Sequence, residues 1–259
     1  MEQRERREFL IKYLLNESND YQDIAVPLGE KEQEKLLRAL LNVRRAKKIS
    51  EEFLAVQDAY LRQRAMEKGM VEIADLKPII EGIYLWRGDI TRLKADAIVN
   101  AANSQMTGCY YPNHGCIDNC IHTYSGVQLR LACDEIIKKQ GHKEECGQAK
   151  ITSAYNLPAR FVIHTVGPIV YGEVTNQDRQ NLAACYRSCL KIAGENNCRN
   201  IAFCCISTGE YHFPNEEAAK IAIETVKDYQ KNTQKPIEVI FNVFKELDEE
   251  IYRRLLCEN

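Results

Sequence analysis

From Ile83 onward, short apolar runs rich in β-formers alternate with helical patterns, and this alternation restricts the fold more than any other feature of the chain. The runs are Ile83-Tyr84-Leu85-Trp86, Ala97-Ile98-Val99, Phe161-Val162-Ile163, Ile201 to Ile206 and Val239-Ile240-Phe241. Each is apolar throughout rather than every second residue, the pattern of a strand buried on both faces. Helical patterns lie between and after them at about 117–139, 178–196, 215–230 and 247–257. Strands alternating with helices predict an α/β fold with a mostly parallel sheet covered by helices on both sides. Ligands of such sheets sit at the carboxyl ends of the strands. This places Asn100 to Ser104 and Ser207 to Phe213, each after a strand, at the expected site edge.

Residues 1–80 have a different texture. Apolar residues recur at helical spacing in Phe9-Leu10-Tyr13-Leu14 and in Leu36-Leu37-Leu40-Leu41, and Pro27-Leu28-Gly29 breaks the two segments. The chain therefore divides into an N-terminal helical extension, 1–80, and an α/β domain, 81–259.

Composition excludes several function classes. The formal charge of −2 gives no field that would hold a nucleic acid, so no nucleic-acid partner is expected. No apolar run is long enough for a signal peptide or a membrane span, so no membrane partner is expected. Eleven cysteines without an export signal point to a reducing, cytoplasmic setting, where clustered thiols read as packing residues or metal ligands.

Arg87-Gly88-Asp89-Ile90-Thr91, followed by Ala97-Ile98-Val99-Asn100-Ala101-Ala102-Asn103-Ser104, resembles the macrodomain family. Cys116-Ile117-Asp118, His164-Thr165-Val166-Gly167-Pro168 and Ile206-Ser207-Thr208-Gly209-Glu210-Tyr211-His212-Phe213-Pro214 follow in the family's order, so the resemblance covers about 83–257. It implies a three-layer α/β/α domain with a central, mostly parallel but mixed sheet, and ADP-ribose as ligand.

The resemblance also implies residue roles. Asp89, with Ile90 beside it, would accept a hydrogen bond from the adenine amine, although an Asp there also suits a turn or helix cap. Asn103 would bind the distal ribose, while Asn100 ties the loop together. Ser207, Thr208, Gly209, Glu210 and Tyr211 would wrap the diphosphate with backbone N–H groups, which explains anion binding without a basic patch. Phe244 stands where the family stacks an aromatic on adenine, or else it is a core residue.

Between Gly108 and Asp118, where most macrodomains carry a glycine-rich loop, this chain has C-x4-H-x-C. Cys109, His114 and Cys116 offer two thiolates and an imidazole, a set that suits one Zn2+ per chain and leaves a fourth position open. This resembles the zinc-dependent macrodomains, which share an N-terminal helical extension. Two alternatives stand beside it: free thiols in a loop, or Cys120 closing the shell into a structural site. His122 and Cys133 read as core or surface residues.

The implied activity is hydrolysis at C1″ of the distal ribose, releasing ADP-ribose from an ADP-ribosylated protein. Asp118, as catalytic residue with Asn103, would position or deprotonate a water or ribose hydroxyl, although a carboxylate in a first helical turn is also favoured by the helix dipole. The rival reading is a non-catalytic ADP-ribose reader. A zinc nucleobase deaminase would need H-x-E and P-C-x-x-C, and neither occurs.

Overall fold

The computed structural model describes residues 1–21 and 23–257. Three helices form the N-terminal part: α1 (Gln3–Asn16), α2 (Glu30–Val43) and α3 (Glu51–Lys68). The side chain of Ser50 accepts from Phe53 N–H and so caps α3. The buried faces of α1 and α2 carry Leu10, Ile11, Leu14, Leu37, Leu40 and Leu41, which meet Phe53 and Tyr60 of α3 in an apolar cluster separate from the core of the sheet. Periodicity located α1 and α2 but merged the rest of this region with them. The helices end at Lys68, and residues 71–80 contribute strands β1 (Val71–Glu72) and β2 (Pro78–Ile80).

The remaining strands are β3 (Ile83–Arg87), β4 (Leu93–Lys94), β5 (Ala97–Ala101), β6 (Ala149–Ser153), β7 (Phe161–Thr165), β8 (Asn200–Phe203) and β9 (Glu238–Val243). A seven-stranded sheet runs in the order β2-β3-β9-β8-β5-β7-β6, and β1 pairs separately with β4. Every pairing from β3 through β7 is parallel, and the two edge strands, β2 and β6, are antiparallel. The sheet is thus mostly parallel, as the sequence pattern implied, and mixed, as the family resemblance implied.

Helices α4 (Ile117–Ser125), α5 (Val127–Gln140), α6 (Asn176–Glu195), α7 (Asn215–Asn232) and α8 (Glu246–Cys257) follow. The single helix expected over 117–139 is two, because Gly126 has φ 97° and a Cβ on it would stand 2.6 Å from Gln57 Nε2 of α3. The strand expected over 201–206 ends at Phe203, since the chain leaves the sheet before Ser207, which has φ 65°. β6 escaped the sequence reading because its residues are half-exposed at the sheet edge and lack an apolar run. Among the described residues no helix is long and apolar enough to cross a membrane.

Candidate functional site

The parallel strands β3, β5, β7, β8 and β9 all end on one edge, and the loops leaving that edge carry the residues singled out above. Asn100 lies within β5 and is fully buried. Rather than tying its own loop, it donates through Nδ2 to Asp118 Oδ1 at 2.8 Å and faces His164 Nδ1 at 3.2 Å. His164, on the neighbouring β7, lies 3.0 Å through Nε2 from Thr152 Oγ1. Burial drops the His164 pKa to about 3. The ring is therefore neutral at physiological pH, and one tautomer satisfies both contacts: Nδ1 accepts from Asn100 and Nε2–H donates to Thr152.

Asp118 occupies the first turn of α4 and is almost fully buried. Burial pushes its carboxyl up to about 6, against the opposing pull of the Asn100 hydrogen bond, the Arg130 guanidinium and Asn103. Asn103 Nδ2 lies 3.4 Å from Asp118 Oδ2 and also donates to Gly108 O at 3.2 Å, while its Oδ1 accepts from Gln105 N–H. Two asparagines from the loop-bearing end of β5 thus converge on one carboxylate. His122, one turn further along α4, stands with Nε2 3.5 Å from Asp118 Oδ1. Burial, with His164 and Arg130 nearby, holds its pKa well below the ordinary value, so this is no ion pair. His122 and Cys133 are buried, as core residues should be, and the ring closely abuts Gly108.

The loop before α4 brings Cys109, His114 and Cys116 together, with their ligand atoms within 4.8 Å of one another and Cys109 Sγ 3.7 Å from His114 Nδ1. Cys116 also serves as N-cap of α4, its sulfur accepting from Asn119 N–H at 3.4 Å. Burial raises the Cys116 pKa to about 12, with the Cys109 and Asp118 charges adding to it. A thiolate there would need a cation beside it, and two thiols with an imidazole at this spacing could hold a soft divalent metal. Cys120 does not join the set; its sulfur receives Arg38 Nη2 at 3.5 Å instead. On the far side of the ring, His114 Nε2 faces Glu210 Oε1 at 3.7 Å, the arrangement in which a carboxylate orients a ligating histidine. Spacing in the sequence gave no hint of that contact, because Glu210 follows a different strand.

The Ser207 to Tyr211 loop lies opposite. Ser207 is buried with Oγ unpartnered among the described residues, and a Cβ on Gly167 would stand 2.1 Å from that oxygen, so the glycine after Val166 is what admits Ser207. Thr208 Oγ1 donates to Cys205 O, and the carbonyls of Ser207, Gly209 and Tyr211 accept from Phe213, His212 and Val170 N–H groups. Among the described residues, no hydrogen bond uses the N–H groups of Gly209, Glu210 or Tyr211. They remain available to an anion, and a Cβ on Gly209 would meet nothing within 4 Å.

The two remaining expectations fall at the outer end of the same edge. Asp89 does cap a turn: Oδ1 accepts from Thr91 N–H at 3.0 Å and from Thr91 Oγ1 at 2.6 Å, and Oδ2 faces Lys68 Nζ at 3.6 Å. Ile90 is buried in that turn. Phe244, directly after β9, is 77% exposed, which removes the reading of it as a core residue.

Comparison with known proteins agrees with this architecture. The model of the Macro domain family matches residues 99–222. A protein-ADP-ribose hydrolase of Treponema medium is 52% identical over 99% of this chain and 100% of its own length. A protein-ADP-ribose hydrolase of Staphylococcus aureus (strain MSSA476) is 49% identical over 96% of this chain and 94% of its own. Among solved structures, the Trypanosoma brucei macrodomain in complex with ADP-ribose superposes with a TM-score of 0.66 at 29% identity, covering 85% of this chain and 94% of that one. With a strand-edge site of this form and a full-length relative at this identity, the chain belongs to the macro domain family.

Proposed function

We propose that the protein removes ADP-ribose from ADP-ribosylated protein by hydrolysis at C1″ of the distal ribose, with one zinc ion held by Cys109, His114 and Cys116. The observation that best supports a hydrolytic site is the convergence of Asn100 and Asn103 on Asp118, two residues beyond Cys116 at the joint between the loop and α4. The printed name of the two relatives supports the same activity.

In this reading Asp89 accepts the adenine amine through Oδ2, the oxygen outside its cap that Lys68 also faces, and Phe244 stacks on the ring. The open N–H groups of Gly209, Glu210 and Tyr211 grip the diphosphate, and Ser207 and Thr208 shape the turn that aims them. Asn103 exchanges its contact with Gly108 for the distal ribose. Asp118 orients or deprotonates the attacking water, whose oxygen goes to C1″ while its proton ends on the departing acceptor side chain. Asn100 fixes which carboxylate oxygen faces the substrate. Cys109, His114 and Cys116 would hold zinc, which when bound would supply Lewis-acid polarisation. The free thiols fit a cytoplasmic setting.

The deciding experiment assays purified protein on carboxylate-linked and serine-linked ADP-ribosylated substrates, with metal analysis of the same sample. Release of ADP-ribose by wild type, with about one zinc per chain, is expected. Cys116→Ala should stay folded by circular dichroism while losing both metal and turnover. Binding of free ADP-ribose without release from any acceptor would make the protein a reader, and full turnover by a metal-free chain would remove zinc from the mechanism.

A further inference from the structure

We propose that the N-terminal helical extension is a working part of the metal site, with Arg38 and Asn42 of α2 as positioning residues for the loop that carries Cys109, His114 and Cys116. The inference rests on the zinc reading given above.

Arg38 reaches across from α2 and donates through Nη2 to the backbone carbonyl of His114 at 2.7 Å and to Asn119 Oδ1 at 2.9 Å. Asn42, 1% exposed, uses both ends of its amide: Oδ1 accepts the backbone N–H of Asn113 at 2.9 Å, and Nδ2 donates to Thr123 Oγ1 at 2.9 Å. Asn119 completes the clamp by donating to Tyr111 O at 2.9 Å. The backbone from Tyr111 to His114 is therefore held at three successive points, two of them by α2 itself.

Asn113 has φ 57°, a left-handed turn that asparagine enters more readily than most residues, and Asn42 fixes the turn by accepting its N–H. If the turn relaxed, His114 would swing away from Cys109. The α2 helix is in turn pinned by Arg130 of α5, whose Nη1 donates to the carbonyls of Leu41, Asn42 and Arg44 at the α2 C-terminus, where helix carbonyls otherwise lack partners. The same guanidinium lies 4.3 Å from the ring centre of Tyr110, beside Cys109 in the loop. One arginine thus links the end of α2 to the start of the metal loop.

A purely structural interface would need none of this aim. Gln57 of α3 illustrates the contrast: it accepts from Val127 N–H at 3.0 Å and donates to Gln128 at 2.8 Å, bracing the same interface without touching the loop.

The test uses the full chain and reads zinc affinity by competition with a chromophoric chelator, beside thermal unfolding of each protein. Arg38→Met and Asn42→Ala should each weaken zinc binding ~10-fold or more, the range for residues that support metal ligands from behind. Gln57→Ala should lower the unfolding temperature while leaving zinc affinity within about threefold of wild type, well short of that range. If Asn42→Ala does not fold, Arg38→Met decides. Zinc affinities of Arg38→Met and Asn42→Ala within threefold of wild type would overturn the proposal, as would an equal loss in Gln57→Ala. A wild-type chain that takes up no zinc would overturn the metal reading itself, and this inference with it.

Discussion

The two walls of the cleft are built in opposite ways. The wall formed by the loop before α4 is made of side chains: Asn100, Asn103, Asp118 and His164 interlock beneath it, and Arg38 and Asn42 brace it from behind. The wall formed by the loop after β8 is made of backbone, with N–H groups of Gly209, Glu210 and Tyr211 left open and the Glu210 side chain turned to His114. Buried polar networks are costly to break, because each lost partner strands another buried group. A backbone wall tolerates substitution, since every residue except proline brings the same N–H. This division fits the proposed reaction, with the chemistry on the first wall and the grip on the second.

The largest effect should come from the first wall. Asp118→Ala is expected to lower hydrolysis at least ~100-fold while ADP-ribose affinity changes little, the signature of a lost general base. Turnover within a few-fold of wild type would move the chemistry elsewhere in the cleft.

Acid sensitivity of the same wall should come next. His164 titrates near 3 when folded, so between the unfolded value of about 6.5 and that figure only the unfolded chain binds this proton. The stability contribution is present above pH 6.5 and is lost as pH falls, at roughly 1.4 kcal/mol per pH unit for this one group. Because Asp118, raised to about 6, opposes this slope in the same window and the lowered His122 adds to it, the test is the difference between two urea-denaturation series: His164→Gln should give a stability-versus-pH slope shallower than wild type by about one proton. An unchanged slope would mean that His164 is not a buried neutral ring.

Asp89 tests a carboxylate that serves structure and ligand together. Asp89→Ala should weaken ADP-ribose binding about tenfold, in the range for losing a charged hydrogen-bond partner, and should also cost some stability through the lost cap. Calorimetric affinity equal to wild type would place adenine elsewhere.

The smallest effect belongs to the second wall. Thr208→Ala should change ADP-ribose affinity by no more than about 0.5 kcal/mol, because the grip there is main chain. Affinity should also fall only gently with salt, unlike that of a chain holding phosphates with many lysines. A steep salt dependence would contradict a backbone grip.

Much of this was legible before the structure. Five parallel strands announced themselves through continuous apolar runs, which burial on both faces demands of β5, β7, β8 and β9 while β3 is only half-buried, and each long helix after α5 was located to within a few residues of its ends. The three candidate ligands lie close in the chain, so their spacing alone could bring them together. Phe244 and Asn100 were less readable, since a motif says which residue is present and not whether it is exposed or which neighbour it meets. The edge strands were missed because half-exposed residues carry no clear period.

The sequence alone thus determined the class of fold, the strand-edge loops and the composition of the candidate metal set, all of which depend on local pattern and short separations. Only the tertiary structure decided what surrounds those residues. It turned Asn100 onto Asp118, brought Glu210 to face His114, and laid α2 against the loop of candidate ligands so that Arg38 and Asn42 hold backbone groups 76 and 71 residues away. Polar contacts at such separations leave no periodic trace in a sequence. They depend on how two separate apolar cores are docked, and single hydrogen bonds worth about 1 kcal/mol each follow that docking rather than direct it.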